Sequence, residues 1–285
     1  DRYEQPATDF PTDVRTMALQ GDTLWIGALN GLYTYQLQNR KLSPLDTKRN
    51  GLPHNTIYSI IRTGDNQIYV GTYNGLCRYI ASNGKFEKIP LPVNSSQSNL
   101  FVNSLLEDTG RQCIWIGTEG YLFQYFPSTG QMKQTEAFHN NSIKSLALDG
   151  NGDLLAGTDN GLYVYHNDVT PLQHIIHDSR NIQSLTNNII WNIFADQEHN
   201  IWLGTDYGIS LSRYNSALQF IPISQITGTG DGNQFYSLFR DSKGFYWFGG
   251  TNGLIRFTDP AGDKHNAIWY RMGDKTYPLS HNRIR

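Results

Sequence analysis

Six residues occupy one recurring place in this chain of 285 residues and yet span five types: Arg15, Tyr58, Asn103, Lys144, Trp191 and Tyr236. Arg285 falls at the same place in a partial copy. Each sits one residue into a short apolar-rich stretch, and the residue after it stays small: Thr16, Ser59, Ser104, Ser145, Asn192 and Ser237. A position that repeats unchanged solves a packing problem every copy shares, whereas one that varies at a fixed place is free for recognition. Aromatic faces beside Arg, Lys and Asn suit a carbohydrate. Sugar C–H faces pack on Trp and Tyr, and hydroxyls, carboxylates or sulfates take hydrogen bonds from the polar members. Trp191 and Tyr236 are the leading contacts in this reading, and Arg15 and Lys144 fit an anionic sugar. The plainer alternative is that these side chains wedge between neighbouring sheets, because period-two alternation sets them opposite the small residue.

Other chemistry is sparse. The histidines form no H-E-x-x-H or Cys/His ligand pattern, so no metal or other cofactor is expected. His174 and His177 read as loop or outer-strand residues, and His54 and His281 share one repeat position, which points to a role in a turn. Asp149-x-Asn151-x-Asp153 opens like a calcium loop, but Leu154 and Asn160 stand where that loop needs Gly and Glu. No Gly-x-Ser-x-Gly elbow or phosphate loop is present. The carboxylates are too scattered to nominate the pair a glycosidase needs, so no catalytic residue is assigned.

The elements that carry the six residues repeat as well. Ile201-Trp202-Leu203-Gly204-Thr205 is rewritten around Gly27, Gly71, Gly117, Gly157 and Gly249. A period of about 40–50 residues is that of propeller blades. Each copy reads as four strands. The first starts at Val14, Ile57, Val102, Ile143, Ile190 or Phe235, and a polar turn rich in Asp, Asn and Gly follows it. The Trp-x-Gly-Thr strand comes next. Its glycine marks close backbone approach or a bulge. A second turn, often Asn-Gly, leads to an aromatic third strand, and a less regular fourth strand suits an outer edge. Trp25, Trp115, Trp202 and Trp247 recur evenly and read as core between sheets.

The expected fold is therefore an all-β propeller of four-stranded antiparallel blades, six full repeats plus the start of a seventh, with a seven-bladed parent ring preferred over six blades closing on themselves. Residues 1–13 form an arm or the outer strand of an incomplete blade. The propeller spans 14–285, with repeats near 14–56, 57–101, 102–142, 143–189, 190–234 and 235–283, and the next opens at 284–285. Aromatics at 13 % and 27 glycines suit many short strands joined by tight turns. A formal charge of −2 argues against a broad basic grip on nucleic acid. Cys77 and Cys113 occupy unlike repeat positions and read as buried free thiols. No apolar run reaches membrane-helix length, and no signal peptide is visible.

At these residues the chain resembles the two-component regulator propeller repeats. Leu52-Pro53-His54-Asn55 with Gly71-Thr72, and Leu185-Thr186-Asn187-Asn188 with Ile201-Trp202-Leu203-Gly204-Thr205, carry the pattern. Departures are Leu24 and Ala28 in the first copy, Leu155 in the fourth and Gly250 in the sixth. The resemblance covers about Val14 to Arg285. It implies the periplasmic sensor of a hybrid histidine kinase anchored in the inner membrane, with an oligosaccharide ligand and a response in glycan-utilisation genes. It further implies a downstream propeller, a β-sandwich and a kinase in the same parent chain, which signals as a homodimer. The competing readings are a propeller-fold glycan-processing enzyme and a protein-binding scaffold.

Overall fold

In a computed structural model, residues 10–92, 100–134, 138, 141–166, 173–214, 220–222, 233–258 and 267–285 are described. The described residues form six four-stranded antiparallel sheets, each a meander of consecutive strands, and these are the blades of a β-propeller. Among the described residues, helix is confined to one turn, Thr47–Asn50, capped by the Asp46 carboxylate on the Arg49 N–H at 2.7 Å. Of the 1–13 arm, residues 1–9 lie outside the described residues. Phe10 and Thr12 are tied to the first sheet through Asn30 at 2.9 and 2.8 Å.

The chain divides into two compact units, Asp1–Asn140 and Asn141–Arg285. In the first unit the first strands are Val14–Gln20, Ile57–Arg62 and Val102–Asp108. They pair with the second strands Thr23–Ala28, Ile68–Thr72 and Cys113–Thr118. In the second unit the first strands are Ile143–Leu148, Ile190–Ala195 and Phe235–Arg240. Their partners are Leu154–Thr158, Ile201–Thr205 and Tyr246–Gly250.

Each core lies between successive sheets, because a lone four-stranded sheet leaves both faces wet. Trp25, Ile60, Ile68 and Cys77 join the first two sheets, and Tyr69, Leu105, Ile114 and Tyr125 the second and third. In the other unit Leu155, Leu162, Ile193 and Leu203 join the fourth and fifth, and Trp202, Tyr246, Phe248 and Phe257 the fifth and sixth. Trp25, Trp115 and Trp202 are buried, but Trp247 is only half-buried, beside Tyr270 and Arg256. It lies outside the cluster that joins its sheet to the fifth.

The repeated polar residues are the turn chemistry. The Thr72 hydroxyl donates to the Gly75 carbonyl at 2.9 Å and accepts the Asn74 N–H at 3.0 Å. Thr158 and Thr205 close their turns the same way. Gly75, Gly161 and Gly253 take φ of 97°, 93° and 117° there, which only glycine tolerates cheaply. In the approach to each first strand, His54, Asn187 and His281 share one position. Each accepts the N–H two residues on, at 3.0, 2.8 and 2.9 Å. His54 and His281 are thus turn residues, as their shared position implied.

The Asp turns close the other end of the first strands. Asp241 Oδ1 accepts the Lys243 and Phe245 N–H groups, and Asp149 Oδ1 those of Asn151 and Asp153. The Asp149 run is therefore hairpin chemistry. Where a tryptophan follows, its indole N–H reaches the same carboxylate: Trp115 to Asp108 at 3.0 Å, Trp202 to Asp196 at 2.9 Å, Trp247 to Asp241 at 2.9 Å. Burial alone would raise Asp108. The hydrogen bonds from Trp115 and from Arg111, which is 2.7 Å away, overcome it and hold the carboxyl below its ordinary value. A depressed folded-state pKa contributes stability that is complete above the unfolded value of about 3.9 and is lost as pH falls through the folded one. Asp108→Asn is therefore expected to flatten the acid side of a stability–pH curve, read as unfolding midpoints from pH 7 down to 3. A variant whose acid side steepens would contradict this. Cys77 and Cys113 are free and buried, and burial pushes both thiols up.

Candidate functional site

In every sheet the pairing of first and second strand slips at one residue. The ladder passes from Val14 to Thr16, Ile57 to Ser59, Val102 to Ser104, Ile143 to Ser145, Ile190 to Asn192 and Phe235 to Ser237. The skipped residues are Arg15, Tyr58, Asn103, Lys144, Trp191 and Tyr236. Each is the extra residue of a β-bulge, and all six are half-buried. A bulge takes its residue out of the ladder and re-aims its side chain, so simple alternation does not govern these positions.

The bulge follows from crowding around the motif glycine. A Cβ on Gly27 would lie 2.6 Å from Ile57 and from Thr16, and one on Gly204 would lie 2.7 Å from the Phe235 carbonyl. The next sheet's first strand thus runs against the glycine backbone, and only a small residue fits opposite. That small residue ties the sheets together. Thr16 accepts the Ile60 N–H at 3.2 Å, Ser59 donates to the Val102 carbonyl at 3.1 Å, and Ser145 accepts the Ile193 N–H at 2.9 Å.

In the first unit the Arg15 guanidinium lies 5.4 Å from the Tyr58 ring centre and 3.8 Å from the Asp13 carboxylate. Tyr58 meets Phe101 edge-on, and Phe101 in turn meets Tyr73, at 6.0 and 4.2 Å between centres. Burial raises the Tyr58 phenol, and Arg15 offsets part of this. Asn103 donates to Glu119 at 3.0 Å.

In the second unit three bulge residues join one network. Lys144 Nζ sits 4.5 Å from the Trp191 ring, and Trp191 meets Tyr236 edge-on at 5.3 Å. The Trp191 indole N–H donates to Asp206 at 2.9 Å, and the Gln234 amide donates to the same oxygen at 2.6 Å. Tyr236 donates its hydroxyl proton to Gln234. Arg283 and Arg285 each lie 5.4 Å from the Tyr236 ring centre. Each cation–aromatic contact is worth about 0.5–2 kcal/mol, so the arc is held in shape before anything binds. It offers cations, an organised carboxylate and aromatic edges, but no group of three metal-ligating side chains occurs among the described residues.

Asp206, Glu119 and Gln234 were not singled out from sequence. A signal for two of them existed. The residue two after each motif glycine also varies in kind, reading Leu29, Tyr73, Glu119, Asp159, Asp206 and Thr251. In the third and fifth sheets it hydrogen-bonds that sheet's own bulge residue.

The two-component regulator propeller model matches residues 51–74, 184–207 and 229–252. Histidine kinase P4 of Formosa agariphila is 27 % identical over 273 residues, a match that takes in 86 % of this chain and 19 % of the kinase. The solved extracellular domain of the putative hybrid two component system BT4673 from B. thetaiotaomicron is 93 % identical, with a TM-score of 0.71, over 99 % of this chain and 38 % of that one. The corresponding domain of BT3049 from the same organism, at 18 % identity and a TM-score of 0.76, shares the fold over 96 % of this chain and 37 % of its own. The chain thus spans about a fifth of the kinase relative and under two fifths of these solved domains. No helix among the described residues is long and apolar enough to cross a membrane.

Proposed function

We propose, from the premise that this chain belongs to the two-component regulator propeller repeat family, that it is part of the ligand-sensing region of a hybrid histidine kinase and recognises an oligosaccharide. The observation that carries this reading is the bulge at one place in all six sheets. It lifts a different aromatic, cationic or amide side chain out of each ladder, and in the second unit it gathers Lys144, Trp191 and Tyr236 into one arc. The solved relatives are extracellular domains, which supports a periplasmic position. In this reading the region itself is non-catalytic. Bound sugar shifts the balance between two arrangements of the parent chain, whose further propeller, β-sandwich and kinase parts carry the response to glycan-utilisation genes.

The test titrates neutral and acidic oligosaccharides into the extracellular region of the parent chain by calorimetry, with product analysis alongside. Saturable binding without product is the expected result, and Trp191→Ala weakens it at least about tenfold, as loss of a central aromatic contact does. Turnover of the sugar favours the enzyme reading instead. Affinity unchanged by Trp191→Ala removes the arc as the binding site.

A further inference from the structure

The sheets of the first unit enclose a second candidate site, at the far end of the strands from Tyr58 and Asn103. A cleft of about 640 Å³ opens between the second and third sheets, beside the turns that Thr63 and Asp108 begin. Its size falls within the roughly 300–1,000 Å³ of small-molecule sites.

The repeats show why space is left here. Between the fifth and sixth sheets the matching place is plugged. Trp202 packs on Tyr246 and Phe257 at 4.8 and 6.0 Å, the Tyr246 hydroxyl bonds Asp196 at 3.1 Å, and Arg240 reaches across to Glu198. Between the second and third sheets Tyr69 replaces the tryptophan, Ile114 replaces Tyr246 and Glu107 replaces Arg240. Two of these replacements shorten the side chain. Glu107 still crosses to the second sheet, where its carboxylate accepts the Gly64 N–H at 2.8 and 3.0 Å, so the space comes from the lost Tyr246 ring at Ile114 and the lost indole at Tyr69.

The lining is mixed: Tyr69, Cys113, Ile114 and Pro127 give it an apolar side, and hydrogen-bonding groups make up the rest. The amides of Gln67 and Gln112, the Ser128 hydroxyl, the Asp65 and Glu107 carboxylates and the Arg78 guanidinium border it. Arg78 is steadied by Glu87 at 2.8 Å. Planar amides, carboxylates and a guanidinium are the groups that hold vicinal hydroxyls. Asp108 is neutralised by Arg111 and Arg78 by Glu87, which leaves the Asp65 and Glu107 carboxylates, so the local field repels an anion.

We infer that this cleft is a binding site for a neutral oligosaccharide, distinct from the bulge arc. The inference shares with the preceding proposal only the premise of sugar binding, and none of its residues.

The experiment titrates neutral trisaccharides of glucose, galactose, mannose and xylose into the extracellular region of the parent chain, with a glucuronate-containing trisaccharide and spermidine as charged probes. The double variant Glu107→Arg with Ile114→Tyr transplants the plug of the fifth and sixth sheets. Thr109→Trp, an exposed change at the rim, serves as a second block should the plug disturb folding. A neutral sugar whose affinity falls at least tenfold in either blocked variant, and which outcompetes both charged probes, is the expected result. Neutral-sugar binding that both blocked variants leave intact overturns the cleft; if Trp191→Ala removes that binding, the preceding proposal survives. Binding lost on blocking the cleft but untouched by Trp191→Ala keeps the cleft and removes the arc. No neutral-sugar binding, or a preference for spermidine, also overturns the inference.

Discussion

Trp202→Ala is expected to cost about 3–5 kcal/mol of folding stability, the range for removing a large aromatic from a packed core. The side chain is fully buried and touches Tyr246, Phe248 and Phe257 of the next sheet. Its loss opens a cavity between two sheets that depend on each other for burial. It also removes one of the donors on Asp196, which keeps Asn200 and Tyr246 at 3.0 and 3.1 Å. Trp202→Phe separates the two contributions. It keeps most of the packing and loses the indole N–H, at about 1–3 kcal/mol for a hydrogen bond to a charged group. Urea unfolding midpoints measure both. Equal losses in the two variants would show that the hydrogen bond, not the packing, dominates.

Gly71→Ala is expected to cost about 2–4 kcal/mol, although it adds one methyl group and the backbone there suits any residue. The new Cβ would lie 2.2 Å from the Ser59 hydroxyl and 2.6 Å from both the Val102 carbonyl and a Val102 methyl. It would also break the Ser59–Val102 hydrogen bond that ties the second sheet to the third. Adding Ser59→Ala recovers only part of the loss, because the Val102 carbonyl stays in the way. Gly130→Ala is the control. That glycine has φ of 71° and open space around it, so only the backbone penalty of about 1–2 kcal/mol applies. Similar costs at the two sites, by the same unfolding measurement, would sink the crowding argument.

The two glycines show how far the sequence could be read. The period of the motif and the alternation within it located all six first strands at their starting residues, because each sheet meets the same burial problem. The motif glycine was legible as a point of close approach. A bulge was legible there as the alternative, but not that its extra residue falls on the facing strand, since a bulge is one residue of mismatch between two strands and neither sequence alone says which carries it. The varied residues were found by comparing copies, but their partners were not. Asp206 bonds Trp191 from the next strand, and Gln234 reaches it from the next sheet. Trp247 departs from its copies for a related reason. Its motif matches theirs, but burial belongs to the neighbouring surface rather than to the motif.

Ile284 adds a further point. Its side chain would meet a Cβ on Gly249 at 2.7 Å, as Ile57 would one on Gly27 and Ile190 one on Gly157 at 2.6 Å, and its N–H bonds the Gly250 carbonyl at 2.9 Å. A sheet is thus finished by an apolar residue that sequence assigns to its successor, an isoleucine in these three cases and Val102 and Phe235 against Gly71 and Gly204. The natural module for recombination is therefore offset from the sheet: it begins after one such residue and ends with the next. Copies excised or duplicated at that junction carry their own stopper, whereas cuts at the visible sheet boundary expose a notch in the donor and import a misfit into the host.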